Sequence, residues 1–273
     1  MIHLKSEREI ERLRASADLV GRTLGAVASH VAPGVTTAEL DLIAETFIRD
    51  HQAEPAFKGY KVGDEVFPAT LCTSIDDEVV HGIPNDEPLQ EGSILSVDCG
   101  VLLDGYYGDS AYTFAVGTLS KENRVLMTTT YEALMLGIGQ ATTGQRIGDI
   151  GDAIQRHCEG RGFGVVKDLV GHGIGCDLHE DPQIPNYGRA GSGRKLKTGL
   201  TICIEPMINR GSAGVRTEGD GWTVKTADSL SSAHYEHTVV VRPDESEILT
   251  TFRYIEEVLK ELPYKPIAEV VYG

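Results

Sequence analysis

Residues 93–114, SILSVDCGVLLDGYYGDSAYTF, constrain this chain more than any other stretch. Ser93, Ile94, Leu95, Ser96 and Val97 precede Asp98, and Ser110, Ala111, Tyr112, Thr113 and Phe114 follow Asp109. Both flanks are small, β-branched or aromatic, and the glycine-rich middle reads as a turn, so the segment predicts a pair of strands. Such strands bury at least one face. A lone carboxylate there costs several kcal/mol or stays protonated. Any fold built on this segment must compensate two aspartates.

Elsewhere the punctuation is helical. Ser6 and Glu9 form a capping box, and Ile10, Leu13, Ala17, Val20, Leu24, Val27 and Val31 then recur at steps of three and four until Pro33-Gly34. Thr36 and Glu39 open a second helix with the face Leu40, Ile43, Ala44, Phe47 and Ile48. Strands are expected to about residue 116, helices near 120–138 and 146–160, and strands again from 165 to 242. PGVTTAELDLIAETFI overlays TGQRIGDIGDAIQRHC at an offset of 110 (144 − 34), pairing Leu40 with Ile150, Ile43 with Ala153 and Ala44 with Ile154. A duplicated α+β unit would leave this echo. No Pro/Ser-rich linker separates the copies. The expectation is one domain over 1–250, with pseudo-symmetric halves of about 5–116 and 117–245. Residues 251–273 read as an amphipathic helix (Phe252, Ile255, Val258, Leu259, Leu262) and a tail.

The N-terminus is charged from its start and lacks a secretory apolar core, and no run of 18 apolar residues occurs, so cytoplasm is the default expectation. The five cysteines, Cys72, Cys99, Cys158, Cys176 and Cys203, are odd in number and never form CxxC. That pattern disfavours a disulfide framework or a cysteine-type zinc site and predicts thiols in packed surroundings. A net charge of −16 weighs against nucleic-acid binding. It fits either a solvated surface or carboxylates that serve a cation.

Chemistry gathers in four further segments: EVVHGIPND with His81, LVGHGIGCDLHEDP with His172 and His179, LTICIEPMI with Glu205, and SAHYEHTVVV with Glu236 between His234 and His237. Singly, each has a bland explanation, such as a loop histidine or an Asx-turn at Asp109. Together they do not, because Asp98, Glu205 and Glu236 each adjoin a strand rich in Ile, Val or Leu. If Asp98, Asp109, Glu205 and Glu236 converge with His172, four carboxylates cannot all ionise without large upward pKa shifts. Two divalent cations would offset that charge, and the neutral imidazole would add a nitrogen. Oxygen-rich ligation of this kind suits Mn, Fe or Co, or catalytic Zn. Spacing alone does not establish the convergence.

The ordered set HGIP, D-C-G…G-D, GHGIG…HEDP, IEP and YEHT resembles type I methionine aminopeptidases over residues 5–245. The resemblance implies the pita-bread fold: two α+β halves, a central antiparallel sheet and helices outside. It implies Asp98, Asp109, His172, Glu205 and Glu236 as ligands of two divalent ions (Co, Mn, Fe or Zn), with Asp109 and Glu236 bridging. Glu205 is also the implied proton acceptor, and His81 and His179 the substrate-side histidines. Phe57, Tyr60, Cys72, His81, Leu178, His179 and Trp222 are implied to bind the substrate. Ser74, Asp76, Glu78 and Ser232 align with a monovalent-cation loop. The expected activity is removal of N-terminal methionine before a small second residue, in the cytoplasm. The expected protein is a monomer acting on nascent chains, near ribosomes, without binding nucleic acid or membrane.

Only 31 residues (236 − 205) separate Glu205 from Glu236, which leaves no room for the helical insertion of type II enzymes. With no zinc-binding N-terminal extension, the chain is closest to bacterial-style type I enzymes. Three departures fall in the pocket: Phe57 where some relatives have cysteine, Leu178 where they have an aromatic residue, and a longer KVGDEVFPATLC segment. Asp76 stands where asparagine is common. The competing enzyme reading is a proline-specific aminopeptidase or prolidase of the same fold, and the competing class is a non-catalytic interaction module that has lost ligands.

Overall fold

The computed structural model describes residues 2–261. Among them are five α-helices: α1 (Glu7–Ala28), α2 (Thr37–Asp50), α3 (Lys121–Ile138), α4 (Ile147–Glu159) and α5 (Arg253–Lys260). The capping boxes set where the first two begin. The Ser6 backbone N–H donates to Glu9 Oε2 at 2.7 Å, and that of Thr36 donates to Glu39 Oε2 at 2.8 Å. Helix α1 stops at Ala28, earlier than Pro33-Gly34 suggests, yet Val31 still reaches the core from the following turn. The expectation at Leu262 and the tail falls outside the described residues.

The offset of 110 has a structural counterpart at the start of α4. Arg146 stands where Thr36 does, and its backbone N–H donates to Asp149 Oδ2 at 2.7 Å, as that of Thr36 does to Glu39. Leu40, Ala44, Ile150 and Ile154 are fully buried, while Ile43 and Ala153 are half-buried. The two helices therefore present matching faces to their neighbours.

All strand pairings in the larger sheets are antiparallel. The hairpin Ile94–Leu103/Tyr106–Ala115 turns at Asp104-Gly105, both at positive φ (50° and 81°), the conformation a two-residue hairpin turn requires. Strands Leu71–Ile75 and Glu54–Pro55 flank its first arm. In the second half Thr201–Ile204 lies between Gly171–Gly173 and His237–Val240, and Met207–Asn209 lies between Gly164–Val165 and Ser232–His234.

Hydrogen bonds join the halves directly behind the acidic residues. Ser110 Oγ donates to the Glu236 carbonyl (2.7 Å), Thr113 Oγ1 to the His234 carbonyl (2.7 Å) and Thr238 Oγ1 to the Asp109 carbonyl (2.8 Å). The Glu236 N–H donates to the Ala111 carbonyl at 2.9 Å. Around this seam Tyr112, Tyr235 and Phe252 pack edge to face, with Tyr112 and Tyr235 5.1 Å apart. Ile255 of α5 is fully buried, and Tyr254 donates its hydroxyl to Asp18 of α1 at 2.8 Å, so this helix packs on the body.

Candidate metal centre and substrate cavity

Alternation along strands aims the acids. In Tyr235-Glu236-His237, Tyr235 enters the aromatic cluster, His237 stacks on Phe252 with its Nδ1 2.7 Å from Thr250 Oγ1, and Glu236 points the other way. Across the hairpin Asp98 pairs with Ala111 and Asp109 with Gly100, so the two aspartates are diagonal neighbours on one face. Glu205 follows the strand Thr201–Ile204, with its carbonyl accepting from Asn186 Nδ2 at 2.9 Å. His172 sits between Gly171 and Gly173. A Cβ on Gly171 would lie 2.4 Å from the Cys203 carbonyl, and one on Gly173 would lie 2.3 Å from that of Asp181. Backbone packing on both sides of the strand thus explains the GHG spelling.

These residues from separate segments meet. Asp98, Asp109, His172, Glu205 and Glu236 all line one cavity of about 490 Å³. His172 Nε2 is 3.6 Å from Glu205 Oε1 and 3.9 Å from Asp109 Oδ2. Its Nδ1 lies 2.9 Å from the Gly173 carbonyl, which can only accept, so Nδ1 carries the proton and Nε2 a free lone pair.

Asp98 Oδ1, Asp109 Oδ1 and Glu236 Oε1 are buried and without hydrogen-bond partners. Burial pushes the Asp98 carboxyl up to about 7, although hydrogen bonds from Asp109 and from the Cys99 backbone act the other way. Burial also raises Asp109, Glu205 and Glu236 well above the usual carboxylate range, and repulsion adds to it: Glu236 and Asp98 act on Asp109, Asp98 and Asp109 on Glu205, and Glu205 and Asp98 on Glu236. Burial pulls the His172 imidazole down to about 3, with His179 adding to the effect. Orphaned carboxylate oxygens around a neutral imidazole are a donor set fitted to divalent cations.

The sequence expectation excluded sulfur here, but the structure brings a thiol close. The ligand atoms of Asp109, His172, Cys203 and Glu236 lie within 4.8 Å of one another. Burial, then Glu236 and Asp109, push the Cys203 thiol well up, so it stays protonated beside the carboxylates. Its pairing with Thr238 across the sheet is non-local and leaves no signal in cysteine spacing. Cys72, Cys99, Cys158 and Cys203 are buried free thiols, whereas Cys176 is exposed, contrary to the packed setting expected for all five.

Above the acids stands an apolar wall. Phe57, Phe67, Cys72 and Leu178 are buried together, with Tyr60 and Trp222 packed against them. Every residue implied for the substrate (Phe57, Tyr60, Cys72, His81, Leu178, His179 and Trp222) lines the same cavity. Phe67 was not foreseen; it meets Trp222 edge to face at 5.2 Å and lies within the longer segment. That segment forms a hairpin, Lys61–Val62 with Glu65–Val66, and places Val62 at the cavity. His179 Nδ1 lies 2.6 Å from the Tyr60 hydroxyl. Burial lowers His179, and burial plus His179 lowers His81 to about 4, so both imidazoles are neutral at neutral pH.

The residues aligned with a monovalent-cation loop are occupied locally. Asp76, at φ 50°, accepts from Ser93 Oγ (2.8 Å) and the Ile94 N–H (3.0 Å), and its carbonyl accepts from the Ser232 N–H (2.8 Å). Ser74 Oγ accepts from the Gly82 N–H at 3.2 Å, and Glu78 Oε2 from the Ile75 N–H at 2.9 Å.

A sequence profile described as "Metallopeptidase family M24" matches residues 11–243, and the chain belongs to that family. Within it, the chain is 49% identical over 253 residues to a methionine aminopeptidase of Clostridium perfringens, covering 93% of this chain and 100% of the relative. It is 44% identical to methionine aminopeptidase 1 of Bacillus subtilis, covering 92% and 99% of the two chains. The crystal structure of a methionine aminopeptidase from Rickettsia prowazekii superposes with a TM-score of 0.89 at 43% identity, covering 92% of this chain and all of that one. A prolidase from Pyrococcus horikoshii shares the fold at a TM-score of 0.73 and 20% identity, and the chain spans 63% of its length. The fold is the expected pita-bread α+β architecture. No helix among the described residues is long and apolar enough to cross a membrane.

Proposed function

We propose that this chain removes the N-terminal methionine from peptides and nascent proteins, favouring a small second residue. The reading rests chiefly on one observation: Asp98, Asp109, His172, Glu205 and Glu236 share the cavity whose wall carries Phe57, Tyr60, Cys72, Leu178 and Trp222. The five would hold two divalent ions drawn from Mn, Fe, Co or Zn. When bound, such ions neutralise the carboxylates and lower the pKa of a water toward 7. Glu205 is placed to accept the attacking water's proton and return it to the leaving amine. With Tyr60 donating to its Nδ1, His179 presents an Nε2–H to the scissile carbonyl oxygen, where charge develops. His81 hydrogen-bonds either the peptide nitrogen or the tetrahedral intermediate. The wall suits an unbranched thioether, which fills irregular apolar space well.

As part of the same reading, residues 1–250 act as one catalytic unit with halves near 5–116 and 117–245. The protein works as a cytoplasmic monomer close to ribosomes. A monovalent cation at Ser74, Asp76, Glu78 and Ser232 would show as potassium-dependent thermal stability. The central test strips the metals with chelator, restores Mn, Fe, Co or Zn singly, and follows free methionine from Met-Ala-Ser and Met-Lys-Ser, with Ala-Pro peptides alongside. Metal-dependent release from Met-Ala-Ser, with little from Met-Lys-Ser or Ala-Pro, is the expected result. Preferential cleavage of Ala-Pro would replace this function with a proline-directed one.

A further inference from the structure

Glu205 is asked to do two things at once, hold an ion and carry a proton, and its two oxygens face different histidines. Oε1 is 3.6 Å from His172 Nε2, and Oε2 is 3.9 Å from His234 Nε2. No role falls to His234 in the proposed chemistry, yet its side chain is 2% exposed and its Nε2 is buried without a hydrogen-bond partner. The backbone around it is fixed. Thr113 Oγ1 donates to its carbonyl at 2.7 Å and lies 3.0 Å from its N–H, and Met207 pairs with it across the sheet. An imidazole nitrogen left unpaired in the interior costs about 1–3 kcal/mol, so an orphan at this place calls for a function.

We infer that His234 is a positioning residue whose Nε2–H donates to Glu205 Oε2, leaving Oε1 free on the side of His172. A hydrogen bond spans about 2.7–3.2 Å, so closing the 3.9 Å gap takes a shift of about 0.7–1.2 Å. A carboxylate oxygen has two lone pairs, and one held by His234 leaves the second free to receive a proton from water. Division of labour between the oxygens follows: one for the ion, the other aimed by His234. The inference rests on the functional reading above.

The test compares His234→Leu, His234→Gln and His234→Asn in the full chain. Glutamine keeps an N–H donor at similar reach, and asparagine withdraws it by one methylene. Three quantities are read: thermal midpoint, Mn(II) affinity by calorimetry, and kcat with KM on Met-Ala-Ser. His234→Leu is expected to lose about 10–100-fold in Mn(II) affinity and in kcat, with KM within about threefold, the range known for residues that orient ligands. His234→Gln should recover most of both, and His234→Asn should not. Wild-type Mn(II) affinity and kcat in the leucine variant would overturn the inference. So would glutamine and asparagine variants that are equally impaired, an outcome that decides the matter even if the leucine variant does not fold. A wild-type chain that binds Mn(II) and releases methionine while the His234 variants behave identically would sink this inference alone. A wild-type chain that binds no Mn(II) would sink the functional reading and this inference with it.

Discussion

The floor and the wall of the cavity are built by different means. Floor residues stand on or beside strands whose register is fixed on both sides. Asp98 is locked by pairing with Cys72 and Ala111, and the Glu236 backbone by hydrogen bonds to both Ser110 and Ala111. Much of the wall comes from segments outside the large sheets: Phe57 and Tyr60 before a short hairpin, Phe67 after it, Leu178 and Trp222 on turns. The contrast follows from the distance dependence of the forces. Ligand atoms that must converge, as His172 does on Asp109 and Glu205 at 3.9 and 3.6 Å, tolerate little displacement, so they need a rigid frame. Apolar contacts are individually shallow and collectively forgiving, so a wall can be assembled from loops and can vary in length.

Changes to the floor should therefore be catastrophic for chemistry and changes to the wall graded. The largest effect is expected from chelation, which should abolish methionine release. Metal should also raise the thermal midpoint, and by more at about pH 8 than at about pH 5.5, because ions bind the deprotonated carboxylates. The sign is set by Asp98. Its folded-state pKa is raised from 3.8 to about 7, so without metal the stability it contributes is present below 3.8 and lost as pH rises to about 7. Calorimetric scans with and without Mn(II) at the two pH values check this, and equal shifts would contradict it. Next in size, Glu205→Gln should keep the fold and lose about 10²–10⁴ in kcat; near-normal turnover would remove Glu205 as the base.

A wall substitution should be milder and should act on selectivity. Leu178→Ala is expected to lower kcat/KM for Met-Ala-Ser by about 10–200-fold with metal affinity unchanged, as measured by steady-state kinetics and calorimetry. A fall in metal affinity would erase the distinction between floor and wall. Norleucine should replace methionine within about tenfold in kcat/KM, since such a pocket reads shape more than sulfur.

The smallest expected effect lies in the metal-free protein at acid pH. The His81 pKa is lowered from 6.5 to about 4, so its contribution to stability is present above 6.5 and lost as pH falls to about 4. His81→Asn, which tolerates the φ of 60° at this position, should flatten that part of the stability–pH curve relative to wild type. An unchanged slope in urea titrations across the window would show that His81 does not titrate this way.

Local signals in the sequence were dependable where the physics is local. Capping boxes placed the starts of α1 and α2, and the positive-φ pair Asp104-Gly105 sits inside the stretch read as a turn. The acids were legible as a problem, since carboxylates next to Ile- and Val-rich strands need a partner, but their meeting place was legible only through the ordered motifs. Cys203, Phe67 and the unpartnered His234 nitrogen escaped. Each matters because of what another strand or loop brings beside it, and pairing between distant segments leaves no period in the sequence. Val31 marks the opposite failure: its helical spacing continued past the true end of α1 because the following turn also buries it.

The seam bonds from Ser110, Thr113 and Thr238 have a consequence for birth on the ribosome. The first hairpin emerges early, carrying Asp98 and Asp109, but its backbone partners arrive only with residues 234–238. A chain truncated before that point holds the two aspartates without the segment around Glu236 that clasps their hairpin. Assembly of the candidate metal centre is thus a late event of synthesis, and a fragment ending near residue 200, which lacks Glu205 and Glu236, should bind Mn(II) more weakly than the full chain.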